Sequence, residues 1–147
     1  MTDNQKNELQ NVNLGRTVGS RYFLLSAGGH RDKLMSMHAE LNLPGSTLKK
    51  LKINPLDDTP DIERWLWESS KEYCVSDYPL EEVERFLHNN IEAINCMRKY
   101  RETLSLNICL CWKFIENELH GFYASSELMH LLSSAGLGLD IDIANWN

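Results

Sequence analysis

From Leu104 to Phe114 the chain alternates with period two. Leu104, Leu106, Ile108, Leu110, Trp112 and Phe114 interleave with Ser105, Asn107, Cys109, Cys111 and Lys113. Successive side chains of a strand point to opposite sides, so one face of this run is wholly apolar and the other small or polar. That pattern belongs to a sheet with one face on a core and the other free of it. The rest of the chain has to supply a layer that covers the apolar face.

The segment just upstream supplies part of that layer. Leu80, Val83, Leu87, Ile91, Ile94 and Met97 recur at helical spacing, which predicts a helix from about Pro79 to Tyr100. Pro79 suits a first turn, Glu81, Glu82 and Glu84 sit at the positive end of the macrodipole, and Arg98, Lys99 and Arg101 sit at the negative end. Leu34, Met37, His38 and Leu41 mark a second helix that starts near Asp32 and stops by Pro44-Gly45. A third is capped by Ser125 or Ser126, carries Leu128, Leu131, Leu132 and Ala135, and closes at Gly136.

Strand patterns fill the intervals. Thr17 to Ser26 precedes Gly28-Gly29, Leu48 to Ile53 is short, and Ile62 to Glu68 places Trp65 and Trp67 on one side. Asn54 to Asp61 is a loop, and Leu119 to Ala124 is expected to return as a hairpin partner of the 104–114 strand. In the last strand Leu137, Leu139, Ile141 and Ile143 face one way, and Gly138, Asp140, Asp142 and Ala144 the other. The expected fold is α+β: a largely antiparallel sheet with about three helices on one face, a two-layer sandwich. At 147 residues it is one domain, residues 16–147, behind a polar N-terminal tail at residues 1–15.

Composition narrows the function classes. A net charge of −6 disfavours direct binding to nucleic acid or an anionic membrane; it reads as a solubility charge ahead of an attraction for a basic protein or peptide. The N-terminus has no apolar stretch to serve as a signal peptide, and no run approaches a membrane span. A cytoplasmic protein is expected, with Cys74, Cys96, Cys109 and Cys111 reduced.

Catalytic and ligand motifs are scarce. Cys109 and Cys111 share a strand face about 6.6–6.8 Å apart, but no second pair at zinc spacing accompanies them. His30, His38, His88, His120 and His130 form no zinc motif, and His38, beside an apolar stripe, reads as a boundary residue. Gly28-Gly29 lies between a strand and a helix with Arg31 and Lys33 nearby, yet it lacks the phosphate-loop lysine motif and the three-glycine dinucleotide pattern. The pair reads as a simple turn ahead of an anion site. Asp140 and Asp142 read as a solvated face ahead of an acid–base pair. No metal or cofactor is expected.

What remains is a surface. Trp65 and Trp67 fit either a core or a surface placement; at the surface, aromatics beside acidic groups make a protein-binding patch. The expected partner-binding residues are Asp57, Asp58, Asp61, Glu63, Trp67, Asp140 and Asp142.

A resemblance adds to this. The run Phe122-Tyr123-Ala124-Ser125-Ser126-Glu127-Leu128-Met129-His130-Leu131-Leu132, with Gly136 to Ile143 after it, resembles the C-terminal end of a family of small bacterial proteins of unknown function. Trp65 and the helix after Pro79 sit where that family has a tryptophan strand and its long helix. The resemblance implies a compact α/β sandwich without catalytic residues. Its members resemble immunity proteins encoded beside bacterial toxins, including those of contact-dependent growth inhibition. It therefore implies a chain that binds and neutralises a cognate toxin domain, such as a basic nuclease, by occluding its active site. The second expectation is a small-ligand or regulatory module built on the Gly28-Gly29 turn or on a pocket between sheet and helices. A third, an enzyme with a dispersed site, would need two perturbed titratable groups in one deep pocket.

Overall fold

The computed structural model describes residues 21–51, 64–115 and 122–146. The tail at residues 1–15 and the loop at 54–61 lie outside the described residues. In chain order the elements are β1 (Arg21–Gly29), α1 (Arg31–Leu41), β2 (Thr47–Lys50), β3 (Trp65–Glu68), β4 (Glu72–Tyr73), α2 (Pro79–Asn89), α3 (Ile91–Arg98), β5 (Ser105–Ile115), α4 (Ser126–Ala135) and β6 (Leu137–Trp146).

The strands form one sheet in the order β2-β3-β1-β5-β6, with β4 paired to β1. All pairings are antiparallel except β5 with β6, which run parallel and are joined through α4. A parallel neighbour requires such a crossover, because a tight turn cannot return the chain in the same direction. The result is the expected α+β sandwich, a mixed sheet under a helical layer.

One hydrophobic cluster joins the two layers. β5 sends Leu106, Ile108, Leu110 and Trp112 into it, β1 sends Phe23, Leu25 and Ala27, and β3 sends Trp67. The helices answer with Leu34 and Met37, Leu80, Val83 and Leu87, Ile94 and Met97, and Leu128 and Leu132. Each large apolar side chain so buried contributes about 1.5–3 kcal/mol relative to exposure. The period-two reading of β5 is met residue by residue: its even-numbered positions from 106 to 112 are buried, while Ser105 and Lys113 are exposed.

Two expectations are corrected. The helix read from Pro79 to Tyr100 is broken at Asn90, which gives four helices among the described residues. The Asn90 side-chain amide donates to the Phe86 carbonyl at 2.9 Å while its backbone N–H donates to the same oxygen at 3.0 Å. The Asn90 backbone leaves helical geometry at φ −120° and ψ 31°, which separates α2 from α3, and its side chain offers the Phe86 carbonyl a second donor that alanine lacks. Of the hairpin partner expected from Leu119 to Ala124, the described residues 122–124 do not pair with β5, although the Phe122 ring packs on Trp112. Residues 122–124 are not a strand, and β5 already pairs β1 on one edge and β6 on the other. Residues 119–121 lie outside the described residues.

Gly28 and Gly29, expected as a turn, are instead the last two residues of β1, paired with Leu66 and Trp65 of β3. Gly29 ends β1 at φ +155°, and a Cβ there would meet Leu104 Cδ2 at 2.6 Å. Gly29 therefore lets the end of β1 pass against the residue that precedes β5 before α1 begins.

Candidate functional site

The expected site residues divide three ways. Asp57, Asp58, Asp61 and Glu63 lie outside the described residues. Trp67 is corrected: it is fully buried, and its indole Nε1 donates to His38 Nδ1 at 3.0 Å. Its face of β3 points into the helical layer, so Trp67 is a core residue that anchors α1 to the sheet. Asp140 and Asp142 are exposed, on the face of the sheet that the helices leave open.

That open face gathers polar groups in register. Across the sheet Tyr22, Cys111 and Asp142 form one row, and Leu24, Cys109 and Asp140 the next. Burial, followed by the charge of Asp140, pushes the Cys109 thiol up from its ordinary value. A hydrogen bond with Cys111 and then burial push Tyr22 up to about 12. Both groups stay protonated at neutral pH, the opposite of what an activated thiolate or phenolate needs. Among the described residues, no three His, Cys, Asp or Glu side chains converge as a metal site would require. No described helix is long and apolar enough to cross a membrane.

A second surface was not foreseen. Between α2 and the start of α4 runs an open groove of about 470 Å³, lined by Leu80, Glu81, Glu84, Arg85, Tyr123 and Glu127 with His88 and Ser125. Both helices begin here, so Glu81 and Glu127 complement two positive helix ends. Ser125 couples the walls: its hydroxyl donates to the Glu84 carboxylate and accepts from Leu128 N–H at 3.0 Å, which caps α4. His88 Nε2 lies 3.1 Å from Glu127 Oε1 across the groove. The ring of Tyr123 stands 79% exposed on the rim.

Sequence patterning placed Glu81 and Glu84 on a helix but assigned Tyr123 to a strand. No local signal brings residue 123 beside residue 81. The juxtaposition follows from the docking of α4 on α2.

A second cavity, about 390 Å³, lies at the Gly28-Gly29 end of β1. It is lined by Gly28, Gly29, His30, Leu51, Arg64, Trp65 and Ser105. The buried Nε1 of Trp65 is the one side-chain polar atom among the described residues that is shut from solvent without a hydrogen-bond partner. The Arg31 guanidinium lies 5.5 Å from the centroid of the same indole.

Comparison of the chain with protein-family models, with curated proteins and with solved structures gave no match in any of the three.

Proposed function

We propose that this chain is a non-catalytic binding protein that captures a basic protein partner in the groove between α2 and α4. The carrying observation is the grouping of Glu81, Glu84 and Glu127 around an exposed Tyr123. Tyrosine at a groove rim offers apolar area and a π-face for Lys or Arg, and it costs little side-chain entropy to immobilise. Carboxylates around it draw cations in, and the net charge of −6 extends that pull over the molecule. On the resemblance stated above, the partner is a bacterial toxin domain encoded beside this chain, held inactive in the cytosol of its producer.

The test is co-purification of the tagged chain with the polypeptide of the neighbouring gene. The reading expects a stable complex weakened by salt. It also expects Glu81→Lys with Tyr123→Ala to weaken binding at least about tenfold while the fold persists. A complex of unchanged affinity in that variant removes the groove from the interface. The absence of any complex removes the capture reading.

The polar lining of the cavity at Gly28-Gly29, with His30, Arg64 and Ser105, supports a second reading, in which it takes a small anionic ligand. Inorganic phosphate is a simple probe. Saturable quenching of tryptophan fluorescence that Trp65→Phe abolishes supports this reading; no response to phosphate counts against an anion there.

A further inference from the structure

Strand β6 closes one side of the sheet. It pairs in parallel with β5 from Leu137 to Trp146, and no described strand pairs its outer edge. The opposite margin, β2, is only four residues long and carries Lys49 and Lys50; β6 is ten. In a parallel edge strand every second residue turns both its N–H and its C=O away from the neighbour. β6 thus presents a long row of backbone donors and acceptors, a ready template for another strand.

Side-chain chemistry selects what fits there. On the open face β6 presents Asp140 and Asp142, both exposed. On the helical face it presents Leu139 and Ile141, half-buried, and Ile143, exposed. A second copy of this chain is the wrong occupant, because two-fold antiparallel pairing brings both aspartate pairs together on one face. A strand that alternates basic and apolar residues matches both faces at once. Its cations meet the aspartates, and its apolar side chains continue the row of Leu139, Ile141 and Ile143.

We propose that the outer edge of β6 is a strand-addition site for an extended, alternately basic and apolar segment of a partner protein. It goes beyond the capture groove between α2 and α4, none of whose lining residues belongs to β6. Backbone hydrogen bonds supply affinity in such docking, and the alternating side chains supply specificity. The same two carboxylates that keep copies of this chain apart admit the basic strand.

The probe is a capped peptide of alternating lysine and valine, about seven residues long, close to the length of a sheet strand. It is titrated at low salt into the full chain labelled with ¹⁵N. The expected result is shifted and exchange-protected amides confined to Gly138 through Ala144. A glutamate–valine peptide, and a lysine–valine peptide N-methylated at every backbone amide, leave those amides unmoved. In Asp140→Lys/Asp142→Lys, changed only at exposed positions, the preference between the lysine and glutamate peptides reverses by at least about tenfold. Silence of β6 throughout overturns the proposal, as does equal binding of the N-methylated peptide, since charge alone then suffices. Shifts at Glu81, Glu84 and Tyr123 with β6 unmoved overturn the edge site but leave the capture reading standing. Protection of β6 by dimerisation of the free chain also overturns it. The capture reading falls separately, through the missing complex with the neighbouring polypeptide.

Discussion

Trp67 shows how one side chain ties two layers together. Its indole nitrogen can only donate, so His38 Nδ1 must accept, and the imidazole carries its proton on Nε2. Trp67→Phe removes that bond and part of the ring volume, and should cost about 2 kcal/mol in urea unfolding. Trp67→Ala should cost about 3–5 kcal/mol; a loss under 1 kcal/mol in either would mean the core closes without the indole. The sequence put Trp65 and Trp67 on one side of a strand and read His38 as a satisfied boundary residue beside an apolar stripe, and both readings hold. Which side faces the core was not legible, because a period of two is symmetric between faces. His38 decides it from a distance of 29 residues. Cysteine reactivity belongs to this scale as well. Burial, then the charge of Glu82, push the Cys74 thiol up to about 12, and Cys74 is 1% exposed. In the native chain at pH 8, Cys74 should be the slowest of the four thiols toward a disulfide-exchange reagent, with all four reacting once the chain is unfolded. Rapid native reaction at Cys74, mapped by mass spectrometry, would contradict its placement.

Among the elements, α1 and α3 are latched at their solvent side by Glu40. Its carboxylate accepts from Lys99 Nζ at 2.8 Å, from the Tyr100 hydroxyl, and from the Cys96 thiol at 3.4 Å. The Lys99 and Tyr100 bonds hold its pKa down at about 2, against an ordinary value of 4.5. The native state therefore binds its proton later than the unfolded chain does. The latch contributes its full stability above about pH 4.5 and loses it as the pH falls toward 2. Denaturation midpoints should fall across that window in the parent chain, and Glu40→Gln should flatten that part of the profile. A profile identical in both chains would show that the latch adds nothing in solution. The ends of α4 were plain in the sequence: Ser125 caps it through Leu128 N–H, and Gly136 closes it at φ +70°. Ser125→Ala should cost about 1 kcal/mol by loss of the cap, and the cost should grow if freeing Glu84 also loosens the groove. The break between α2 and α3 was hidden because the apolar stripe runs through it in phase. The interruption is a backbone event at Asn90, to which hydrophobic periodicity is blind.

At the scale of the whole molecule, burial was far more legible than connection. Alternation in β5 and helical stripes in α2, α3 and α4 named most of the core. The order β2-β3-β1-β5-β6 could not be read, because each strand would pair equally well with several others until the helices fix which edges meet. The acidic groove was hidden for the same reason, since it exists only where α4 rests on α2. The central position of β1, bonded to β3, β4 and β5, makes the sheet a single mechanical unit under one hydrophobic cluster. Separate unfolding of one half would expose the other half's buried face. Unfolding is accordingly expected to be all-or-none, with tryptophan fluorescence and far-ultraviolet circular dichroism tracing the same urea curve. Leu34→Ala in α1 and Ile108→Ala in β5 remove side chains with no exposed surface from opposite layers of the cluster. Each should cost about 2–5 kcal/mol and shift both probes together. If Leu34→Ala moved the fluorescence curve and left the dichroism where it was, the helical layer would melt apart from the sheet and the single-unit account would fail.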